Sequence, residues 1–173
     1  IEYLNWSTYQ QIVDEPWQYS TGQVIGNSDG SFMGQMSIRT ALSLSRNIPA
    51  LKTFQTVSKE VGNNKIYEFA TNLGIKSETS SNGTVYESHA LGAFDGTTPL
   101  MMAAAYAAFG NGGVYYEPTT IKKIVYRENN DVKTIKVEGK KAMSESTAFM
   151  ITDMLKTAVE SGLSTGARIN GVQ

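Results

Sequence analysis

The chain has 173 residues, of which 40% are hydrophobic and 18% charged, and its formal net charge is -1. This length and composition are typical of one globular domain that buries a sizeable core. The small net charge and the lack of a basic cluster argue against nucleic acid or an acidic membrane surface as a partner.

The chain contains no cysteine and one histidine, His89. Disulfides, thiolate zinc sites and a cysteine nucleophile are therefore excluded, and an imidazole metal site or a Ser-His-Asp triad is disfavoured. We expect neither a metal nor a cofactor. No apolar run approaches the ~20 residues that span a bilayer. The chain begins at Ile1 without a signal peptide, so we expect it to be an internal piece of a longer protein.

The first 36 residues are rich in Trp, Tyr, Gly, Ser, Gln and Asp and show weak periodicity. Their turn signals are Glu15-Pro16, Thr21-Gly22, Gly26-Asn27 and Asp29-Gly30. This pattern predicts irregular surface structure held by the aromatic side chains of Trp6, Trp17 and Tyr19.

The next segment predicts three short helices with short connections, which is typical of a compact helical cluster. Ser37 is a candidate N-cap for the first helix, which ends around Ser45. The second ends at Gly62, and the third runs from about Asn64 to Gly74. The residues expected to be buried are Ile38, Ala41, Leu42, Leu44, Ala50, Leu51, Phe54, Val57, Val61, Ile66, Phe69, Ala70 and Leu73.

Residues 76–88 are mostly polar and predict a surface loop. Thr98 can cap a helix that starts at Pro99, and residues 100–109 are apolar on nearly every face, so we expect this helix to be deeply buried.

In the last third of the chain, the spacing of apolar residues changes to every second residue. The β-prone runs 121–125 and 132–137 flank the turn residues 128–131, which predicts a hairpin. Ser144 then caps a strong final helix that ends at Gly162.

Three consecutive polar residues, Ser45-Arg46-Asn47, interrupt the apolar pattern between the first two helices. On a regular helix, residues two apart point about 200° away from each other, so Ser45 and Asn47 could share a site only if the chain turns here. The alternative is structural: Asn47 simply caps the next helix, with Pro49 in its first turn. Taken alone, so common a triplet favours this second interpretation.

Three ordered blocks decide between the two interpretations. They are IRTALSLSRNIPALKT (38–53), LGAFDGTTPLMMAAAYAAFGNGGVYYEP (91–118) and MSESTAFMITDMLKTAVESG (143–162). With this spacing, the chain resembles the transpeptidase domain of class A, bifunctional penicillin-binding proteins, of the kind found in Gram-positive bacteria. The resemblance covers nearly the whole chain.

The resemblance implies a fold and an activity. The fold is the α+β penicillin-binding protein/β-lactamase-like transpeptidase fold, here mostly its helical subdomain plus a β-hairpin and one sheet-covering helix. The activity is peptidoglycan D,D-transpeptidation, in which a serine forms an acyl-enzyme with a stem peptide and β-lactams acylate the same serine. It also implies a location on the outer face of the cytoplasmic membrane, with the membrane anchor outside this chain.

The family uses three motifs, and residues 1–173, which we assign to one partial domain, contain one of them. Ser-x-x-Lys, which carries the nucleophile, and Lys-Thr-Gly, which grips the substrate carboxylate, are both absent. By resemblance they would lie before Ile1 and after Gln173, in flanking segments of the same protein. We therefore expect the isolated chain to be inactive and marginally stable.

Site roles follow from the matched Ser-x-Asn motif. The resemblance implies that Ser45 relays a proton between the nucleophile, its lysine and the leaving nitrogen, which suits a hydroxyl because it both donates and accepts. It implies that Asn47 binds the acyl-side amide of the stem peptide or the β-lactam. We interpret Arg46 as a surface or structural cation.

Other polar residues are weaker candidates. We interpret His89 as structural or surface, and Asp14, Glu15 and Asp95 as members of solvated turns, since no second cluster has metal-ligand spacing. A noncatalytic module that binds peptide or a protein partner remains the alternative function. A hydrolase of the same superfamily is disfavoured by the Ile-Pro-Ala sequence after the motif and by the AAAYAAFGNGG block.

Overall fold

A computed structural model describes residues 1–169 of the chain. The last four residues of the predicted domain 1–173, and with them the end of the chain's tail, lie outside the described residues.

The N-terminal segment contains four short strands, so the prediction of irregular structure there is wrong in part. They are β1 (Gln11–Asp14), β2 (Trp17–Gln18), β3 (Val24–Ile25) and β4 (Gly34–Ser37). β1 pairs antiparallel with β4. The segment between them contains β2 and β3, which pair antiparallel with each other. Strands of two to four residues are too short to show a period of two in the sequence.

Three helices follow, as predicted: α1 (Ile38–Ser43), α2 (Asn47–Val61) and α3 (Asn63–Asn72). The hydroxyl of Ser37 accepts a hydrogen bond from the backbone N–H of Thr40, so the predicted N-cap of α1 is confirmed. α2 buries Ile48, Pro49, Leu51 and Phe54. Leu42 differs from expectation, because its side chain is 41% exposed.

The remaining elements are a 3-10 helix (Glu87–Leu91), α4 (Pro99–Gly110), β5 (Val114–Tyr116), β6 (Lys123–Val125), β7 (Val132–Thr134), β8 (Gly139–Lys141), α5 (Glu145–Ser161) and a second 3-10 helix (Thr165–Ala167). Thr98 and Ser144 cap α4 and α5 through backbone N–H groups three residues on, as predicted. β6 and β7 form the predicted hairpin, and β8 returns to pair with β5. The α+β class is confirmed.

The main core lies where α3, α4 and α5 meet the β5–β8 pair. Its buried members are Leu73, Ala105, Ala108, Tyr115, Met143 and Ala148. The alanines of α4 allow α5 to approach closely, which fits the alanine-rich sequence of that helix.

α4 is not deeply buried within residues 1–169, contrary to expectation. Leu100 is 59% exposed and Tyr106 is 54% exposed. The helix is apolar all round, but the described residues cover only one side of it. Within the same residues, no helix combines the length and the apolar composition that crossing a bilayer requires.

Gly74 ends α3 at a position where only glycine fits. Its φ is +78°, and a Cβ there would overlap the hydroxyl and ring of Tyr115. We expect Gly74→Ala to destabilise the protein by about 2–5 kcal/mol, the sum of left-handed strain and overpacking. Gly83→Ala is the control, because Gly83 has a φ of +81° but no atom within 4 Å of a Cβ. Urea denaturation that gave equal losses for the two variants would contradict this prediction.

Candidate functional site

The Ser45-Arg46-Asn47 triplet forms the turn between α1 and α2. The N–H of Ser45 donates to the carbonyl of Leu42, and the N–H of Arg46 donates to the carbonyl of Ala41, each at 3.0 Å. This pair of hydrogen bonds is the Schellman motif, in which the residue after the C-cap adopts a left-handed conformation. The chain therefore reverses at Ser45 before α2 begins at Asn47.

Ser45 adopts a conformation that usually belongs to glycine. Its φ is +52°, and residues 5 and 130 are the only other non-glycine positions with positive φ among residues 1–169. A side chain in this region costs roughly 1–2 kcal/mol relative to glycine. The side chain of Ser45 is exposed. A strained, exposed serine where glycine would fit better makes Ser45 a candidate functional residue.

The guanidinium of Arg46 is buried against the N-terminal segment of the chain. Its Nε donates to Asp14 Oδ2 at 2.9 Å, and its Nη1 donates to Asp29 Oδ2 at 2.8 Å. Its Nη2 donates to the carbonyl of Ser31 at 2.6 Å. Of the two interpretations given to this cation, the structural one is confirmed.

Asp14 is fully buried, so its assignment to a solvated turn is wrong. Its carboxylate is 0% exposed and also accepts hydrogen bonds from Asn27 Nδ2 at 2.7 Å and from the N–H of Met33 at 3.1 Å. With Arg46 Nε, three donors satisfy this carboxylate. Such partners are needed because a buried carboxylate without them is very costly. Hydrogen bonds from Ser31 and Arg46 hold the pKa of the half-exposed Asp29 well below its usual range.

Asn27 caps α2 from a distance of 20 residues in the sequence. Its Oδ1 accepts from the N–H of Asn47 at 2.8 Å and from the N–H of Ile48 at 3.4 Å. The interpretation of Asn47 as the side-chain cap of α2 is therefore wrong. The Nδ2 of Asn47 donates instead to the carbonyl of Gly26 at 3.0 Å, which fixes the plane of the amide and leaves its Oδ1 and one N–H for a ligand.

Ser45 and Asn47 line one open groove of about 520 Å³. Its other lining residues are mostly apolar and come from the N-terminus, α1, α2, the 3-10 helix Glu87–Leu91 and α5. They are Ile1, Trp6, Ile38, Ala41, Leu42, Arg46, Pro49, Ala50, Thr53, Ala90, Leu91, Ile151 and Met154. A hydroxyl and a carboxamide at the rim of an apolar groove suit a ligand with peptide-like groups.

A larger open cleft, of about 730 Å³, lies beside Trp17 and Glu87 on another face of α2. Neither Ser45 nor Asn47 lines it, so we place the candidate site in the smaller groove.

The sequence pointed to Ser45 and Asn47, and the structure brings both to the same groove. No signal in the sequence indicates that Asp14, Asn27 and Asp29 hold the turn, because their partners in the turn lie 17–32 residues away and pattern matching is local. The imidazole of His89 is buried, which favours the structural interpretation of this residue, and its Nε2 lies 2.9 Å from Glu78 Oε1. Asp95 is exposed, as expected.

Comparison with known proteins places these features in a family. Residues 4–173 match the penicillin binding protein transpeptidase domain family. The chain is 44% identical to penicillin-binding protein 1A/1B of Bacillus subtilis over 173 residues, which are all of this chain and 18% of that protein. It is 37% identical to penicillin-binding protein 1A of Streptococcus pneumoniae over 163 residues, 90% of this chain and 21% of that protein.

Solved structures show the same architecture. The crystal structure of penicillin-binding protein 1A from Haemophilus influenzae matches 96% of this chain with a TM-score of 0.72 and 25% identity, over 28% of its own length. The structure of PonA1 from Mycobacterium tuberculosis matches 96% with a TM-score of 0.79 and 22% identity, over 46% of its length. The chain spans about a fifth of the length of the curated relatives it matches.

Proposed function

Because this chain belongs to the penicillin-binding protein transpeptidase domain family, in its class A branch, we propose that it is part of a peptidoglycan D,D-transpeptidase. The observation that carries the proposal is the turn at residues 45–47, which presents the family's Ser-x-Asn side chains to a common groove. The substrate would be a peptidoglycan stem peptide, and β-lactams would acylate the same site. The protein would act on the outer face of the cytoplasmic membrane.

The apolar groove is suited to hold the flanking segment that carries the nucleophile. Apart from Ser45, Arg46, Asn47 and Thr53, the groove is lined by apolar side chains, which suits a packed segment of protein better than a hydrated substrate. We assign this groove to the flanking segment that carries Ser-x-x-Lys, with Ser45 and Asn47 at its edge. The Lys-Thr-Gly segment would close the site from the other side.

Each residue would then have one task. The serine of the flanking segment gives its proton to the lysine of the same motif and attacks the carbonyl between the two terminal D-alanines, and the bond from that carbon to nitrogen breaks. The hydroxyl of Ser45 accepts a proton from the nucleophile's lysine and passes its own to the leaving nitrogen. The free N–H and Oδ1 of Asn47 pair with the acyl-side amide, and an amine from a neighbouring strand then takes the acyl group.

Labelling with a fluorescent penicillin tests the proposal. The full-length protein should form a covalent adduct, and residues 1–173 alone should not, because they contain no Ser-x-x-Lys. Absence of labelling in the full-length protein would overturn the transpeptidase assignment and favour the noncatalytic module that binds peptide or a protein partner.

Asn47→Ala should raise the half-saturating concentration of the penicillin about tenfold, since it removes one or two hydrogen bonds worth about 1 kcal/mol each. Thr53→Val is the control, because Thr53 also lines the groove but donates its hydroxyl to the carbonyl of Pro49 at 2.8 Å. Equal half-saturating concentrations for the two variants would show that Asn47 does not bind the ligand.

A further inference from the structure

The 3-10 helix Glu87–Leu91 forms part of the groove wall, since Ala90 and Leu91 line the groove that Ser45 and Asn47 share. It packs on α2 and is only five residues long. A single short 3-10 turn has few hydrogen bonds of its own, so contacts with the rest of the chain must hold it in place.

One end of this helix is fixed by a carboxylate of its own. Glu87 accepts hydrogen bonds from the backbone N–H of Ser20 at 2.7 Å and from the hydroxyl of Ser20 at 2.6 Å. Gln55 Nε2 on α2 donates to the same carboxylate at 3.1 Å. These bonds anchor the start of the wall, but they lie on the side of α2 where the Trp17 cleft opens.

The middle of the helix is fixed by His89 and Glu78, whose side chains are absent from the groove lining. The imidazole is 7% exposed, and its Nε2 lies 2.9 Å from Glu78 Oε1. The other oxygen of Glu78 accepts from the backbone N–H of Asp95 at 2.9 Å. One carboxylate therefore joins the middle of the wall to the loop that follows it.

The surroundings of His89 fix its orientation. Its ring lies edge-on to Tyr86 and tilted against Phe94, with centroids 5.5 Å and 5.9 Å away. Its Nδ1 is buried and has no hydrogen-bond partner among residues 1–169. The favourable tautomer has its proton on Nε2, which donates to Glu78, and has no proton on Nδ1. The hydrogen bond from Asp95, with a smaller contribution from His89, holds the pKa of Glu78 below its usual value, so the carboxylate is ionised at neutral pH.

We propose that Glu78 and His89 are positioning residues for acylation: they hold Ala90 and Leu91 in the groove wall and so set the place of the nucleophile-bearing segment that packs there. The proposal rests on the function proposed above. Neither side chain touches the reacting atoms. Loosening the wall should let the nucleophile shift, which slows the chemical step and leaves β-lactam binding at the rim intact.

Stopped-flow acylation of the full-length protein by a fluorescent penicillin tests this role. Glu78→Ala and His89→Phe should lower the limiting acylation rate constant about tenfold, with the half-saturating concentration within twofold. Glu78→Gln should stay within threefold of the unsubstituted protein, because its amide oxygen still accepts from Asp95 and its N–H₂ can pair with the imidazole. Glu68→Ala is the control, since Glu68 forms an exposed ion pair with Lys65 at 2.7 Å on α3, which contributes nothing to the groove.

Titration of active sites separates positioning from a merely structural role. In the variants the fraction of molecules that become labelled should be unchanged, and only the rate should fall. Unchanged rates, or a smaller labelled fraction with an unchanged rate, would overturn the proposal while leaving the transpeptidase assignment in place. Absence of acylation in the unsubstituted protein would overturn both. If Glu78→Ala does not fold, the comparison of His89→Phe with His89→Gln, which can still donate to Glu78, gives the same test.

Discussion

Arg46→Met should destabilise the domain by about 3–5 kcal/mol, the largest loss of stability that we expect from a single substitution at the site. The variant leaves the Asp14 carboxylate, which is 0% exposed, without its opposite charge. Methionine keeps much of the length and apolar volume of the arginine stem, so the loss reports mainly the unpaired charge. The hydrogen bonds from Asn27 and Met33 to Asp14 remain but do not neutralise it.

The free energy of unfolding of the full-length protein, measured in urea at neutral pH, checks this value. Lys65→Met is the control, because it breaks an ion pair whose side chains are 44% and 50% exposed and should leave the free energy of unfolding almost unchanged. Adding Asp14→Asn to Arg46→Met should recover about 1–3 kcal/mol, since it removes the uncompensated charge. A loss below 1 kcal/mol for Arg46→Met, or no recovery in the double variant, would show that the pair does not hold the turn.

The helices could be predicted from the sequence because their ends are encoded locally. Ser37, Thr98 and Ser144 each lie three residues before the N–H that they cap, so the signal and its partner fit in one short window. The turn at Ser45 was predicted for the same reason: three polar residues interrupt a periodic apolar stripe.

The network that holds this turn could not be predicted. Asp14 and Arg46 lie 32 residues apart, and neither differs in sequence context from an exposed charge. Asp and Arg are seldom fully buried, so the sequence alone favours a solvated turn for Asp14. Only the fold, which brings β1 against the start of α2, shows that the two charges satisfy each other.

The exposure of apolar side chains also could not be predicted from local sequence patterns. Leu42 and Leu100 fit apolar helical patterns, yet they are 41% and 59% exposed. Periodicity identifies the side of a helix that some element covers, but not which element does so. For Leu42 the uncovered surface is the groove itself, so a wrong burial prediction there marks the candidate site.

Ser45→Gly should change stability and catalysis in opposite directions. Glycine adopts a φ of +52° without strain, so the substitution should stabilise the domain by about 0.5–1 kcal/mol after the extra entropy of the unfolded chain is counted. The same change removes the hydroxyl that we propose as the proton relay. General acid–base groups contribute roughly 10²–10⁴-fold, so the limiting acylation rate constant should fall at least about 100-fold.

Two further variants separate the backbone effect from the chemical one. Ser45→Ala should slow acylation as much as Ser45→Gly but bring no gain in stability, because alanine keeps the left-handed strain. Asn130→Gly should relieve a smaller strain at a φ of +58° in the β6–β7 turn, because asparagine tolerates this conformation better than serine does. Since Asn130 lies outside the groove, acylation should be unchanged. Urea denaturation and stopped-flow acylation of the full-length variants give both quantities. If Ser45→Gly acylates at the rate of the unsubstituted protein, the strain at Ser45 serves the turn alone and its hydroxyl is no relay.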